Sequence, residues 1–325
     1  MKQKDFTYAV ARIRSKELGL LSAQHMEQLI GSKSCEEALH FLADKGWGSP
    51  DEPLEPERLL AGERDRTWQT VEEMVDDPAV FDTLRVADDF HNLKAAVKQL
   101  CTGSRLPPER LYVKGGRLDP ERIRKAVNAK DFDQLPGRMS EAGRSAYETL
   151  VQTGDGQLCD VILDRAALED MLAEGKASGS EVLAEYALMT AVSANVRIAA
   201  RCAKTGKSLE FIRRALAPCE SLDVDALAHA AVGGIGAVAE YLAGTDYADG
   251  AVALQESPAA FERWCDNLIM RRLQPQKYNP FTVGPLAAYL LARENEIKCV
   301  RMVLTGKLNG MPEGTIRERL REMYV

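Results

Sequence analysis

Three stretches of the chain set small or apolar residues along one face at helical spacing. They are "NLKAAVKQLCTG" (92–103), "NVRIAARCAKTG" (195–206) and "NEIKCVRMVLTG" (295–306). Each opens with Asn and closes on Thr-Gly. In a helix the second, fifth, sixth and ninth positions share a face. The fifth and sixth are Ala96-Val97, Ala199-Ala200 and Cys299-Val300, and the ninth is Leu100, Ala203 or Val303. The basic seventh residue (Lys98, Arg201 or Arg301) falls off that face. In the third copy Glu296 stands at the apolar second position with Ile297 beside it, which predicts a slightly rotated helix. The closing glycine predicts a left-handed C-cap at Gly103, Gly206 and Gly306.

Helix starts are predicted at Asp77-Pro78, Ser180-Glu181 and Gly284-Pro285, giving helices of about twenty residues that end at Thr-Gly. Downstream, "GRLDPERI" (116–123) and "ESLDVDAL" (220–227) match again, with Asp119 and Asp223 as caps of the next helix. The copies lie 103 and 100 residues apart, a period too long for a solenoid unit and suited to a small domain. The pattern predicts three related helical domains, near 1–118, 119–222 and 223–325. Asn92, Asn195 and Asn295 fall mid-helix, where Asn is unfavourable. Each is expected to bond a neighbouring helix or loop.

The periodicity disposes of two nucleotide motifs. Gly206-Lys207-Ser208 looks like the end of a P-loop, but the first glycine of that motif would be residue 201, which is Arg201. The segment before it reads as an amphipathic helix, not a strand. Gly234-Ile-Gly236-Ala-Val-Ala239 fits G-x-G-x-x-[GA], yet "DALAHAAV" before it is helix-forming. The stretch 226–244 is Ala- and Gly-rich and carries His229 and Glu240, so it predicts a buried helix broken at Gly233-Gly234 rather than a membrane span. Asp88-Asp89-Phe90-His91 reads as a solvated helix face, because sequence neighbours on a helix do not face one another. No catalytic constellation, cofactor site or metal site is evident.

Composition agrees with this picture. The 325 residues are 45% hydrophobic and only 6% aromatic, and the abundance of good helix formers predicts an all-α chain. A net charge of −7 argues against a nucleic-acid partner. Seven cysteines without a Cys-x-x-Cys pair suggest reduced thiols in a cytoplasmic protein. The opening "MKQKDFTYAVARIRSKE" lacks the apolar run of a signal peptide.

The chain also resembles a family as a whole. "YAVARIRSKELGLLS" (8–22), "DDFHNLKAAVKQL" (88–100) and the tail from Pro285 to Val325 are similar to the C subunits of the bacterial and archaeal V/A-type ATPases, the family that includes the d subunits of eukaryotic vacuolar ATPases. Tyr289, Glu294, Glu296, Ile297, Gly306, Lys307, Ile316, Leu320 and Arg321 match its pattern in the tail, and Asn195 and Arg197 do so in the middle copy. The resemblance implies a funnel of three similar helical domains about a pseudo-threefold axis. It implies a non-catalytic rotor part, peripheral to the membrane, joining the axle subunits of the soluble ATPase head to the membrane rotor ring and coupling ATP turnover to H⁺ or Na⁺ movement. Candidate partner contacts are Lys114, Arg271, Arg272, Arg317, Arg319 and Arg321, which would meet acidic loops. A helical scaffold outside a rotary ATPase, or an NTPase built on Gly206-Lys207-Ser208, are the competing readings.

Overall fold

The computed structural model describes residues 6–48, 53–104 and 106–325. The first five residues of the opening segment lie outside that set. Among the described residues there are helices and no strand. They form two compact units, one from residues 1–78 and 256–325, the other from 79–255.

The first unit begins with α1 (Thr7–Glu17), α2 (Ala23–Ile30), α3 (Cys35–Asp44) and α4 (Pro56–Glu72). The second holds α5 (Val86–Thr102), α6 (Pro108–Leu111), α7 (Pro120–Asn128), α8 (Gly137–Thr153) and α9 (Gly156–Ala177). It continues with α10 (Glu181–Thr205), α11 (Leu209–Ala215), α12 (Val224–Val232), α13 (Ile235–Ala243) and α14 (Ala248–Glu256). The chain then returns to the first unit with α15 (Pro258–Leu273), α16 (Gly284–Leu308) and α17 (Glu313–Arg317). All seven cysteines are free, so packing and caps hold these helices without crosslinks.

Side-chain caps start many of them. Ser22, Ser34, Asp119, Asp155, Ser180 and Asp223 each accept a first-turn backbone N–H. Such a cap contributes about 1 kcal/mol. Asp77-Pro78 behaves differently from its sequence signal. It leads into a 3-10 stretch, Pro78–Leu84, whose tighter winding buries Phe81 and Thr83, and the α-helix begins only at Val86. The Gly233-Gly234 break is real: α12 and α13 are nine residues each, and Gly234 turns between them at φ +102°. Among the described residues no helix is long and apolar enough to cross a membrane.

The two cores are built differently. In the second unit α5 packs on α7, α8 and α9, and α10 packs on α9, α11, α12 and α13. Phe90, Leu93, Val97, Ile123, Val127, Met139 and Leu163 fill the space between the first of these. Each large apolar side chain so buried adds about 1.5–3 kcal/mol. In the first unit α16 is an axis surrounded by α1, α2, α3, α4, α15 and α17. Its Ile297, Val300, Val303 and Leu304 share one cluster with Leu29, Ile30, Leu42 and Leu60 from the other end of the chain.

The apolar face read from the three stretches is the buried one. Leu93, Ala96 and Val97 are buried, as are Val196, Ala199 and Ala200, and Cys299, Val300 and Val303. The third helix is not rotated to spare Glu296. That residue keeps the second position and is itself buried, 1% exposed, because partners described below receive it. The closing glycines do not all do the same work. Gly103 and Gly206 stand at C-caps in the left-handed region, φ +66° and +61°. Gly306 lies inside α16, which runs on to Leu308, and Gly310 takes the positive φ of +62° instead. What Gly306 provides is room: a Cβ there would lie 2.6 Å from Cγ1 of Ile316.

Candidate functional site

Each of the three mid-helix asparagines faces inward and holds the segment that follows the next short helix, α6, α11 or α17. Asn92 donates from Nδ2 to the Val113 carbonyl at 2.9 Å, and its Oδ1 accepts the Val113 N–H at 2.8 Å. Asn195 repeats this with Ala217, donating to the carbonyl at 2.8 Å and accepting the N–H at 2.9 Å. A two-sided clamp of this kind satisfies one residue's backbone completely, as a strand neighbour would. Asn295 makes half of it, donating to the Glu322 carbonyl at 3.0 Å, while the Glu322 N–H goes to Oδ1 of Asn267.

Two charge clusters lie beneath the surface. In the second unit Arg117 reaches three carboxylates: Asp89 at 2.6 Å, Asp170 at 2.7 Å and Glu174 at 2.9 Å. Asp89 has no exposed area and also accepts the Leu118 N–H at 3.1 Å. The reading of residues 88–91 as a solvated face is therefore wrong at Asp89, while His91 is exposed and meets the Leu111 carbonyl at 3.1 Å. Gly116 allows this approach, since a Cβ there would fall 2.3 Å from Oδ1 of Asp89. Burial pushes the Arg117 pKa down, but its bonds to Asp89 and Asp170 outweigh it and the net shift is upward.

In the first unit Arg293 donates to Oε1 of Glu296 at 2.6 Å, and Oε2 of Glu296 accepts the Leu21 N–H at 3.1 Å. Glu63 lies 3.6 Å from Nε of Arg293. Burial pushes the Glu296 carboxyl up to about 7, against the opposing pull of Arg293 and Leu21. Desolvation wins here because burial strips the charged carboxylate of hydration, and that outweighs its two partners. Neither cluster stands out in the sequence, although Glu296 at an apolar position of the repeat was a signal that something must receive it.

The six cationic candidates separate. Arg321 is not a surface contact: its side chain is 7% exposed and engages Asp266 at 2.8 Å and Glu262 at 3.2 Å. Arg271 pairs with Glu322, and Arg317 pairs with Glu27 at 2.9 Å, so both are drawn to carboxylates of the chain itself. Lys114, Arg272 and Arg319 are exposed, as are Arg271 and Arg317. Large apolar side chains also reach solvent in the first unit: Tyr8, Leu18, Tyr278 and Phe281. Arg14 ties α1 to the loop bearing the last two, donating to the Gln276 carbonyl at 2.6 Å and the Asn279 carbonyl at 3.2 Å.

The P-loop-like tripeptide has a structural job. Gly206 ends α10, Lys207 donates to Oε1 of Gln157 at 2.6 Å, and Ser208 caps α11 through the Phe211 N–H. Among the described residues no group of three or more His, Cys, Asp or Glu is placed to hold a metal ion.

The family described as "ATP synthase (C/AC39) subunit" matches residues 9–319. The C subunit of a V-type sodium ATPase from Enterococcus hirae is 26% identical, covering 96% of this chain and 97% of its own length. The C subunit of an A-type ATP synthase from Methanocaldococcus jannaschii is 25% identical over 97% of this chain and 86% of its own. The C subunit of a V-type ATP synthase from Thermus thermophilus is 24% identical over 97% and 98%. The all-helical build and a family match over residues 9–319 lead to one assignment: the chain belongs to the ATP synthase (C/AC39) subunit family, the C subunits of V- and A-type rotary ATPases.

Proposed function

We propose that this chain is a non-catalytic rotor subunit of the central stalk, joining the axle of the soluble ATPase head to the membrane rotor ring. The observation that carries the reading is the family match over residues 9–319, with relatives aligned along nearly their whole length. A part of this kind transmits torque, so it requires stiff helices and fixed loops more than a reactive centre. The buried clamps at Asn92 and Asn195, and the ion clusters around Arg117 and Arg293, supply that stiffness. The ion moved is H⁺ or Na⁺ according to the ring, where selectivity resides.

The reading extends to architecture. Three related helical domains, near 1–118, 119–222 and 223–325, form a funnel about a pseudo-threefold axis. Support comes from the three asparagines, each bonded to the segment after the next short helix. Lys114, Arg272 and Arg319 offer charge to acidic partner loops, and Tyr8, Leu18, Tyr278 and Phe281 offer apolar contact.

Reconstitution with head, axle and ring subunits tests this. With the chain present, ATP hydrolysis drives ion movement. Without it, the head hydrolyses ATP but neither stays with the membrane sector nor moves ions. Equal assembly and coupling in its absence would end the rotor assignment.

A further inference from the structure

The carboxyl of Glu296 is buried on α16, and a short turn covers one side of it. That turn, residues 18–22, joins α1 to α2. Its Leu21 N–H donates to Oε2 of Glu296, and its Gly19 carbonyl accepts from Nη2 of Arg293 at 3.4 Å. Arg293 in turn donates to Oε1 of Glu296. Two bonds thus tie the turn to α16, and both end on one buried ion pair. Bonds inside the turn are local, from the Gly19 N–H to the Lys16 carbonyl and from the Leu20 N–H to the Glu17 carbonyl. The other sides of the pair are thicker. Glu63 stands on the 17-residue α4, and the Trp47 and Tyr289 rings lie 5.8 Å from the Arg293 guanidinium. In the turn, by contrast, Leu18 is 88% exposed and Gly19 is exposed as well. A cavity of about 280 Å³ reaches Lys16, Gly19, Glu63 and Arg293 but is not lined by Glu296. Solvent space therefore comes within one side chain of a carboxyl that it does not touch.

The charges that act on Glu296 are Arg293 on its own helix, which favours ionisation, and Glu63 on α4, which opposes it. Charges on the other elements packed against α16 are engaged elsewhere. On α1, Arg14 holds Glu17, and Lys16 is exposed. Glu27 of α2 pairs with Arg317 of α17, and Lys45, just past α3, lies over the Phe41 ring beside His25. On α15, Glu262 and Asp266 meet Lys298 and Arg321. Arg66 is committed to Glu63, and Arg64 to Glu294. One guanidinium is therefore shared between Glu296 and, at 3.6 Å, Glu63. Burial outweighs that half-share, so the carboxyl keeps its proton up to about 7. An ionised Glu296 would gain hydration, and the closed turn denies it.

We propose that the turn between α1 and α2 is a lid over Glu296, shut on its protonated carboxyl and opened by its ionisation. Opening lets water reach the carboxylate, and it carries Leu18 and the end of α1 away from α16. Leu20 and Leu21 are buried in the closed form and set the cost of opening. In the open form the carboxyl regains its ordinary value of 4.5, so opening releases a proton between pH 4.5 and 7. Outside that window opening is independent of pH. Across it, the ratio of open to closed turn rises with pH by up to about 300-fold. The lid does not rest on the rotor reading, and the chain by itself tests it.

Amide hydrogen exchange of the full chain from pH 5 to 8, with each rate divided by its intrinsic value at that pH, reads the lid directly. The Leu20 and Leu21 amides should exchange faster than those of α16 around Val300, which marks a local opening rather than global unfolding. Their opening should increase about thirtyfold from pH 5 to 7 and then level off. In Glu296→Gln, which has nothing to ionise, it should stay near its pH 5 level throughout. Glu63→Gln removes the opposing charge beside Glu296, so its rise should level off at lower pH. If Glu296→Gln loses its helical circular dichroism, Glu63→Gln decides in its place. Turn amides no faster than those around Val300, a flat wild-type profile, or the wild-type profile unchanged in the deciding variant would each overturn the proposal.

Discussion

An asparagine in the middle of a helix loses to alanine on propensity alone, so its retention at 92 and 195 needs a larger return. The return is a loop residue whose N–H and C=O are both satisfied by one side chain. Removing the amide strands two buried backbone groups. Asn92→Ala or Asn195→Ala should therefore destabilise by about 2–4 kcal/mol, counting about 1–2 for each orphaned group. Asn295→Ala should lose only about 1 kcal/mol, since it breaks one bond to Glu322. Urea unfolding followed by circular dichroism measures the order, and a cost at Asn295 equal to that at Asn195 would contradict it. Glu296 gives a second expectation at this scale. The folded chain holds its proton up to about pH 7, whereas an ordinary glutamate releases it near 4.5. Folding therefore takes up a proton between those limits, and the stability this confers is full below 4.5 and lost as pH rises through 7. The decline across the window should not exceed about 3.5 kcal/mol. Glu296→Gln keeps an oxygen for the Leu21 N–H and has nothing to titrate, so its stability curve should be flatter from pH 5 to 8.

At the scale of the element, the helical period made faces and several caps legible, because both follow from neighbours a few positions away. Ser180, Asp119 and Asp223 cap the helices that follow them, and the apolar face of each repeat stretch is buried. The errors fall where a distant segment decides. Gly306 matches Gly103 and Gly206 in sequence, yet it is a contact glycine because Ile316 of α17 lies against it. Asp89 looked solvated because Arg117 is 28 positions away, and Glu296 looked misplaced because Leu21 is 275 away. Helical spacing carries no information about which segment returns to a given face. The two glycine roles differ measurably. Gly206→Ala forces a left-handed alanine at a helix end and should cost about 1 kcal/mol. Gly306→Ala pushes a methyl into Ile316 and should cost about 1–3 kcal/mol. Ile316→Ala in the same chain should relieve part of the second cost and none of the first, which a double-mutant cycle reads directly.

At the scale of the whole molecule, what divides the chain is where each core closes. The spacing of the matched stretches predicts domains meeting near 118 and 222, and the compact units meet at 78 and 255. Unit boundaries are set by which core closes, and α16 closes one with α2, α3 and α4 from the opposite terminus. The outer segments are therefore each half of a core. Residues 1–78 alone would leave Leu29, Ile30, Leu42 and Leu60 without Ile297, Val300, Val303 and Leu304. The middle segment, by contrast, is continuous and contains its own cluster from Phe90 to Leu163. Expressed as 79–255, it should be helical, monomeric and cooperative in thermal unfolding. Expressed as 1–78, the N-terminal segment should bind hydrophobic dye and gain a sharp transition only when 256–325 is added. A cooperative transition in 1–78 by itself would show that α16 is an accessory to that core rather than its centre.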